Sequence, residues 1–363
     1  VQIIGCTADG NSDAMYISNG LITGGTFYGS INSTKNIKSH IVTYQVNGAD
    51  YATQIVPSNS MVTLLTPTKQ GYAFDGWYKA DGMRLDVADP VTITENLALT
   101  GWLYAPVTSE SELTAALADS SIDVIRLTND ITLTNSLTIL RKVTLDLNGY
   151  VLDLGKKYIL VKGSDSDHFS NLTIMDSRPK EEHRFKNNGT GLWVLDTNGD
   201  KTVEGGVITG GSNTSGGAMV VDWWGTVTMN GGNIVGCSAS ESGGAVCSTS
   251  NFSFTMNGGS IAGCTAKNGS AIYLKGSQMN ANGGTVNGTV VLAVDGSSEC
   301  IINGGGVSFS GLIINEDANA TFSGAHSSLG IVGEKPGTHS DTYYTVTFYL
   351  VDSTMEYTTR YFL

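Results

Sequence analysis

The chain has 363 residues, a net charge of −13 and 46 glycines. That length allows two or more domains, the acidic balance argues against nucleic acid or an anionic membrane as partner, and glycine well above the usual ~7% beside plentiful aliphatic residues signals many turns rather than disorder. No apolar run is long enough to cross a bilayer and no secretion signal is present, so no membrane insertion is expected within this chain.

In chain order, the first feature is Gly24-Gly25-Thr26-Phe27, a Gly-Gly-x-apolar phrase that recurs in the second half of the sequence. Residues 1–39 therefore read as the terminal coil or coils of an upstream β-helix. From 40 to 106 the pattern changes. Ile41-Val42-Thr43-Tyr44-Gln45-Val46 alternates like a strand and runs into a turn at Asn47-Gly48. Gly71-Tyr72-Ala73-Phe74-Asp75-Gly76-Trp77-Tyr78 follows, and Leu97-Ala98-Leu99-Thr100-Gly101-Trp102 closes the segment. These phrases resemble the Listeria-Bacteroides repeat, which implies a small β-grasp-like module used in tandem on bacterial surface proteins. The closing strand departs from that family's usual Tyr-Ala-Lys-Trp ending. Trp77 and Tyr78 are expected in the module's core, where aromatic side chains dominate.

Ser109-Glu110-Ser111-Glu112 has capping-box spacing, and Leu113, Ala116 and Leu117 share one helical face. A helix over 109–118 is expected to cover the open end of a solenoid. Val124 to Leu127, Ile131 to Leu133, Leu137 to Ile139 and Val143 to Leu147 supply its first coils, with Asp146 as a turn or ladder residue. Between Gly163 and Asn188 the alternation fails and charge gathers at Asp165, Asp167, His168, Asp176, Arg178, Lys180 and their neighbours. This reads as a solvated loop insertion, the usual place for binding on a rigid scaffold.

An x-Gly-Gly-x-aliphatic phrase then recurs, starting at Glu204, Asn230, Asn257, Asn282 and Asn303, in steps of 26, 27, 25 and 21 residues. A second register, Gly216-Gly217-Ala218-Met219, Gly243-Gly244-Ala245-Val246 and Gly269-Ser270-Ala271-Ile272, keeps the same interval. A period in the twenties with short alternating runs and no helical pattern specifies a parallel β-helix. Ile208, Ile234, Ile261, Val286 and Val307 are expected to stack as one inward ladder, and Trp193, Met219, Val246 and Ile272 as another. Residues 180–335 hold no proline, as strands paired on both sides require. The coil pattern resembles the right-handed parallel β-helix repeats, of the pectate-lyase-like class, found in surface proteins of gut bacteria. The resemblance implies an all-β fold over 107–340, and that class hosts lyases, hydrolases, epimerases and non-enzymatic adhesins.

Tyr343-Tyr344-Thr345-Val346-Thr347-Phe348 restarts the pattern of Ile41 to Val46, so residues 341–363 read as the start of a truncated second β-grasp-like repeat. With Val1 in place of Met, the chain is expected to be a fragment of a longer tandem protein, extracellular and on the cell surface, its signal and attachment lying outside the sequence. Of five cysteines, Cys237 and Cys264 follow the same glycine in successive coils and are expected to stack as small buried residues.

Two constellations could carry chemistry. Aligning Leu192-Trp193-Val194-Leu195-Asp196 with Ala218-Met219-Val220-Val221-Asp222 places Asp196 and Asp222 on adjacent coils, where two carboxylates favour a cation, calcium for instance, or one raised pKa. Thr249 and Lys275 continue the row, so it is only two carboxylates deep. The sequence has no nucleophile-elbow phrase, phosphate loop or metal-binding His pair. Trp223-Trp224 is the other: alternation allows one indole to point inward and leaves its neighbour near solvent, where it can stack on a sugar or a protein. The balance favours an adhesin-like or structural stalk binding a polysaccharide or host surface ligand without a cofactor. The alternative is a polysaccharide lyase or glycoside hydrolase, which needs paired carboxylates.

Overall fold

The computed structural model describes residues 15–17, 31–33, 39–165, 167–249, 253–293, 300–303, 306–314, 329–331, 344–349 and 356–362. Packing divides the chain into two units, Val1–Ala105 and Pro106–Leu363. The Gly24-Gly25-Thr26-Phe27 phrase lies outside the described residues, but the strands flanking it, Met15–Ile17 and Ile31–Ser33, pair parallel and in register. Tyr344–Tyr349 and Glu356–Phe362 form an antiparallel pair.

In the first unit, Asn47 and Gly48 both take positive φ, +52° and +80°. This is the two-residue turn whose twist suits a hairpin, and it joins Ser39–Val46 to Ala49–Pro57. Leu97–Val107 runs parallel to the first strand and antiparallel to Ala73–Tyr78. Trp77 is fully buried, packs against Tyr44 and Phe74 at ring-centroid distances of 4.8 and 4.9 Å, and donates Nε1–H to the Leu65 carbonyl at 2.6 Å. Gly101 must lack a side chain, because a Cβ there would lie 2.6 Å from the Phe74 ring.

The second unit opens with the helix Glu110–Ala118, capped by Ser109, whose side chain accepts from Glu112 N–H. The helix is fastened at both ends to the first coils. The Glu110 carboxylate accepts from Thr134 N–H, the Thr134 hydroxyl and Asn135 N–H at 2.9, 2.7 and 2.8 Å. Arg141 donates to the last-turn carbonyls of Ala116 and Leu117, both at 2.9 Å, the end where the helix dipole favours a cation. Leu113 and Ala116 are buried in the same core as Ile125 and Leu145, with Leu117 partly covered beside them.

After the helix, the chain winds through three stacks of parallel, in-register strands. The first stack holds Val124–Leu127, Lys142–Asp146, Ser170–Met175, Gly225–Met229, Ser253–Met256, Gln278–Ala281 and Ile301–Asn303. The second holds Ile131–Thr132, Val151–Asp153, Val207–Thr209, Asn233–Val235 and Ser260–Ala262, and the third Leu137–Ile139, Ile159–Lys162, Met219–Asp222, Val246–Thr249 and Ile272–Lys275. The long strand Gly284–Ala293 serves both of these stacks, and so does Val307–Ile314. The result is an all-β solenoid with each coil about 4.8 Å from the next.

Register confirms most members of the two expected ladders and corrects one member in each. Leu152, Ile208, Ile234, Ile261 and Val286 are successive partners, but the next is Phe309; Val307 pairs with Gly284, two residues off the place its Gly-Gly phrase suggests. The other ladder runs Leu137, Ile159, Met219, Val246, Ile272 and Val290 without Trp193. Trp193–Leu195 instead pairs antiparallel with Glu182–Asn187, which also pairs with Lys201–Glu204. This three-stranded antiparallel sheet closes a small core of Phe185, Val203, Val207 and Val235, and a methyl group on Gly263 would overlap the Trp193 indole packed against it. The expected loop over 163–188 is therefore part coil and part antiparallel sheet, since Ser170–Met175 is a regular strand of the first stack with alternate residues buried.

Cys237 and Cys264 are stacked neighbours and free thiols, with Cys237 N–H 3.4 Å from the Cys264 sulfur. Burial pushes the Cys237 thiol well up, and burial together with the charge of Asp222 raises Cys247 to about 11. Cys237 and Cys247 fill the stack rather than present reactive thiolates.

Candidate ligand-binding surface

Asp222 ends the strand Met219–Asp222 and stands in register with Lys162 on the preceding coil. Asp196 is elsewhere: it follows the antiparallel strand Trp193–Leu195, its backbone N–H donates to the Arg184 carbonyl at 2.9 Å, and its carboxylate accepts from Asn198 N–H at 2.8 Å. The expected pairing of Asp196 with Asp222 on adjacent coils is thus replaced by Lys162 with Asp222. The local phrases match because both are short apolar runs ending in Asp, yet one belongs to the antiparallel sheet. The two aspartates are therefore not register partners on stacked strands. Among the described residues, no three His, Cys, Asp or Glu side chains gather as a metal-ligand set.

Trp223 and Trp224 occupy the turn between Met219–Asp222 and Gly225–Met229. Strand alternation does not apply at a corner, and neither indole enters the coil. Trp223 is 68% exposed, whereas Trp224 is half-buried with its ring edge-on to Phe169 at 5.5 Å. Trp224 holds φ at +60°, a left-handed conformation that costs a bulky residue about 1–3 kcal/mol and persists only where the surroundings impose it. Here the preceding coil imposes it: Gly163 N–H donates to the Trp223 carbonyl at 2.7 Å and Ser170 N–H to the Trp224 carbonyl at 3.1 Å. A side chain on Gly163 would approach Trp224 Cβ to 2.7 Å, so the glycine is what lets the turn seat.

Phe169, itself exposed, completes this corner and was not expected from the sequence. The signal was there, because Phe169-Ser170-Asn171 and Trp224-Gly225-Thr226 share a register, so each coil carries an aromatic residue just ahead of its strand. Beside it, the Asp165 carboxylate accepts from Asp167 and His168 N–H and lies 2.7 Å from His168 Nδ1. That imidazole holds the Asp165 carboxyl below the ordinary range. The corner therefore offers one solvent-facing indole and one edge-on aromatic pair, on a turn hydrogen-bonded to the preceding coil.

Several other carboxylates in the coils serve the backbone. Asp176 accepts from Gly149 N–H and Gly206 N–H, both at 2.7 Å, one on each oxygen. Asp146 and Arg126 form a buried pair, Nε to Oδ2 2.6 Å, in keeping with the reading of Asp146 as a ladder residue. Bonds of this kind satisfy coil corners.

Comparison with protein families finds two matches: residues 40–102 to the Listeria-Bacteroides repeat domain, and residues 104–292 to the pectate lyase-like adhesive domain. No curated protein and no solved structure matches the chain. The second match covers more than half of the 363 residues and coincides with the helix and the stacked coils; this chain belongs to the pectate lyase-like adhesive domain family.

Proposed function

We propose that this chain is an adhesive module of the bacterial surface, a right-handed β-helix that holds an extracellular polysaccharide or host surface ligand without transforming it. The observation that carries this reading is Trp223, an indole 68% exposed on a turn pinned by hydrogen bonds to the neighbouring coil. Large aromatics are costly to leave in water, and a rigid, solvent-facing indole is suited to stacking on a sugar ring or a partner's surface. The strain held at Trp224 supports the same view, because such conformations collect at ligand clamps. Surface location, consistent with the family's adhesive description, rests on this reading and on the solvated, acidic composition.

The test is retention of the purified chain on immobilised polysaccharides and matrix proteins, with soluble products monitored alongside. Retention should fall about thirty-fold in Trp223→Ala, the loss expected of a central aromatic contact worth about 2 kcal/mol, while the thermal midpoint stays within about 2 °C, as for an exposed surface site. Release of new reducing or unsaturated chain ends would overturn the non-catalytic reading, and retention indifferent to Trp223 would remove the proposed contact.

A further inference from the structure

The outward face of the first stack carries a lattice of one chemical kind. Along Gly225–Met229 and one residue beyond, the outward side chains are Thr226, Thr228 and Asn230. On the next coil they are Ser253, Thr255 and Asn257, and on the next Gln278, Asn280 and Asn282. Asn171 and Thr173 extend two of the columns by one coil. All are hydroxyls or amides, in register, and partly or fully exposed. No ionised side chain interrupts these positions, although the chain as a whole carries a charge of −13. Among the described residues of this face, charge is met before Asn171, at Lys142 and in the buried Arg126–Asp146 pair.

The lattice is already ordered. Asn257 donates to Asn230 at 2.7 Å and Asn282 to Asn257 at 2.8 Å, forming an amide ladder along one margin. Asn171 donates to the Thr226 hydroxyl at 2.7 Å, Thr173 to Asn171 at 2.8 Å, and Asn280 to the Thr255 hydroxyl at 3.1 Å. Each amide has two N–H groups and two lone pairs per oxygen, so capacity remains for a ligand after these bonds are made. Side chains that hold one another in place lose less freedom on binding. The opposite margin is the aromatic corner, since Phe169 and Trp224 immediately precede the strands that begin at Ser170 and Gly225.

We propose that this face is a docking floor for an uncharged polysaccharide, its hydroxyls meeting the lattice and a ring stacking at the aromatic margin. The proposal rests on the adhesive reading above and names its ligand class. Three considerations select the occupant. A protein partner needs buried apolar or aromatic anchors at the centre of its footprint, and the centre here is threonine and asparagine. A polyanion such as a uronate polymer would find no cation on the floor and would approach a protein of net charge −13. A polymer of neutral sugars presents hydroxyls repeatedly, and the floor offers a polar group once per coil, about every 4.8 Å, which suits repeated shallow contacts.

The experiment is native electrophoresis of the whole chain through gels containing neutral polymers (β-glucan, galactomannan, xyloglucan) or acidic ones (polygalacturonate, alginate), with matrix proteins immobilised in a parallel assay. Retardation is expected with at least one neutral polymer and with neither acidic polymer. Thr228→Glu, which sets an uncompensated charge at the centre of the floor, should weaken that retardation about ten-fold or more, and Thr255→Val, which keeps the β-branched shape, by several-fold. Circular dichroism of each variant establishes folding, and the valine variant decides the matter if the glutamate variant does not fold. Preferred retention by polygalacturonate or alginate, binding to matrix proteins alone, or neutral-polymer retardation untouched by the floor variants would each overturn this inference while leaving the adhesive reading intact. Failure to bind any polymer or protein would overturn both.

Discussion

Asp146 shows how a carboxylate can be prominent in sequence and silent in chemistry. It is fully buried, with one oxygen taking the Arg126 guanidinium and the other accepting from the N–H groups of Asn148 and Ser177 at 3.0 and 2.9 Å. Removing one member of such a pair strands a charge out of water, whereas exchanging both for apolar residues of similar volume does not. Asp146→Ala should therefore cost about 3–5 kcal/mol, read as a lower urea midpoint at unchanged slope. The double variant Arg126→Met/Asp146→Leu should recover most of that loss; a single variant as mild as the double would show that the pair is not the source. The structural role of Asp146 was legible in the sequence because its phrase ends in Asn148-Gly149, both of positive φ. The placement of Trp223 and Trp224 was legible only in part. Alternation says which residue of a strand faces inward, but a corner obeys the bonds its backbone makes to the coil before it, and those come from Gly163 and Ser170, more than fifty residues earlier.

Among elements, the helix Glu110–Ala118 could be read from its cap and its apolar face, and the structure adds the clamps that hold it. Thr134 and Thr108 hydroxyls, respectively, are the main cause that keeps Glu110 and Glu112 below the ordinary glutamate range. Because folding lowers both pKa values, their stabilisation is fully present above the unfolded value of about 4.3 and is lost as pH falls through the lower folded values. Amide protection in residues 110–118, followed by hydrogen exchange, should decline below about pH 4.3 before the coils respond, and Glu110→Gln should blunt that decline. Protection that stays flat with pH would separate these carboxylates from helix docking. The three-stranded antiparallel sheet was the element least visible in sequence. Its central strand Glu182–Asn187 buries only Phe185, so one apolar residue stands among charges and no period emerges. Ser170–Met175 was masked for a related reason: its first inward residue is a serine, which dilutes an otherwise regular alternation.

For the whole molecule, the repeats made the solenoid legible because each coil depends mainly on its neighbours, so local phrases carry global information. The same property predicts what the chain tolerates. Met229 and Met256 are register partners, so deleting residues 230–256 returns the chain to the equivalent point of the next coil. That variant should remain folded and soluble by size exclusion and circular dichroism. Deleting residues 109–118 should instead cause aggregation, since Ile125 and Leu145 would lose the cover of Leu113 and Ala116; aggregation of the first variant and not the second would refute the modular account. The parallel stacking also bears on how the molecule would respond to force. Hydrogen bonds between coils point along the solenoid axis, so tension on that axis parts a row bond by bond, as in a zipper, and does not shear all its bonds at once. Each released circuit of 25 to 27 residues lengthens the tether by about 90 Å. A molecule pulled along this axis would therefore yield in steps and not all at once.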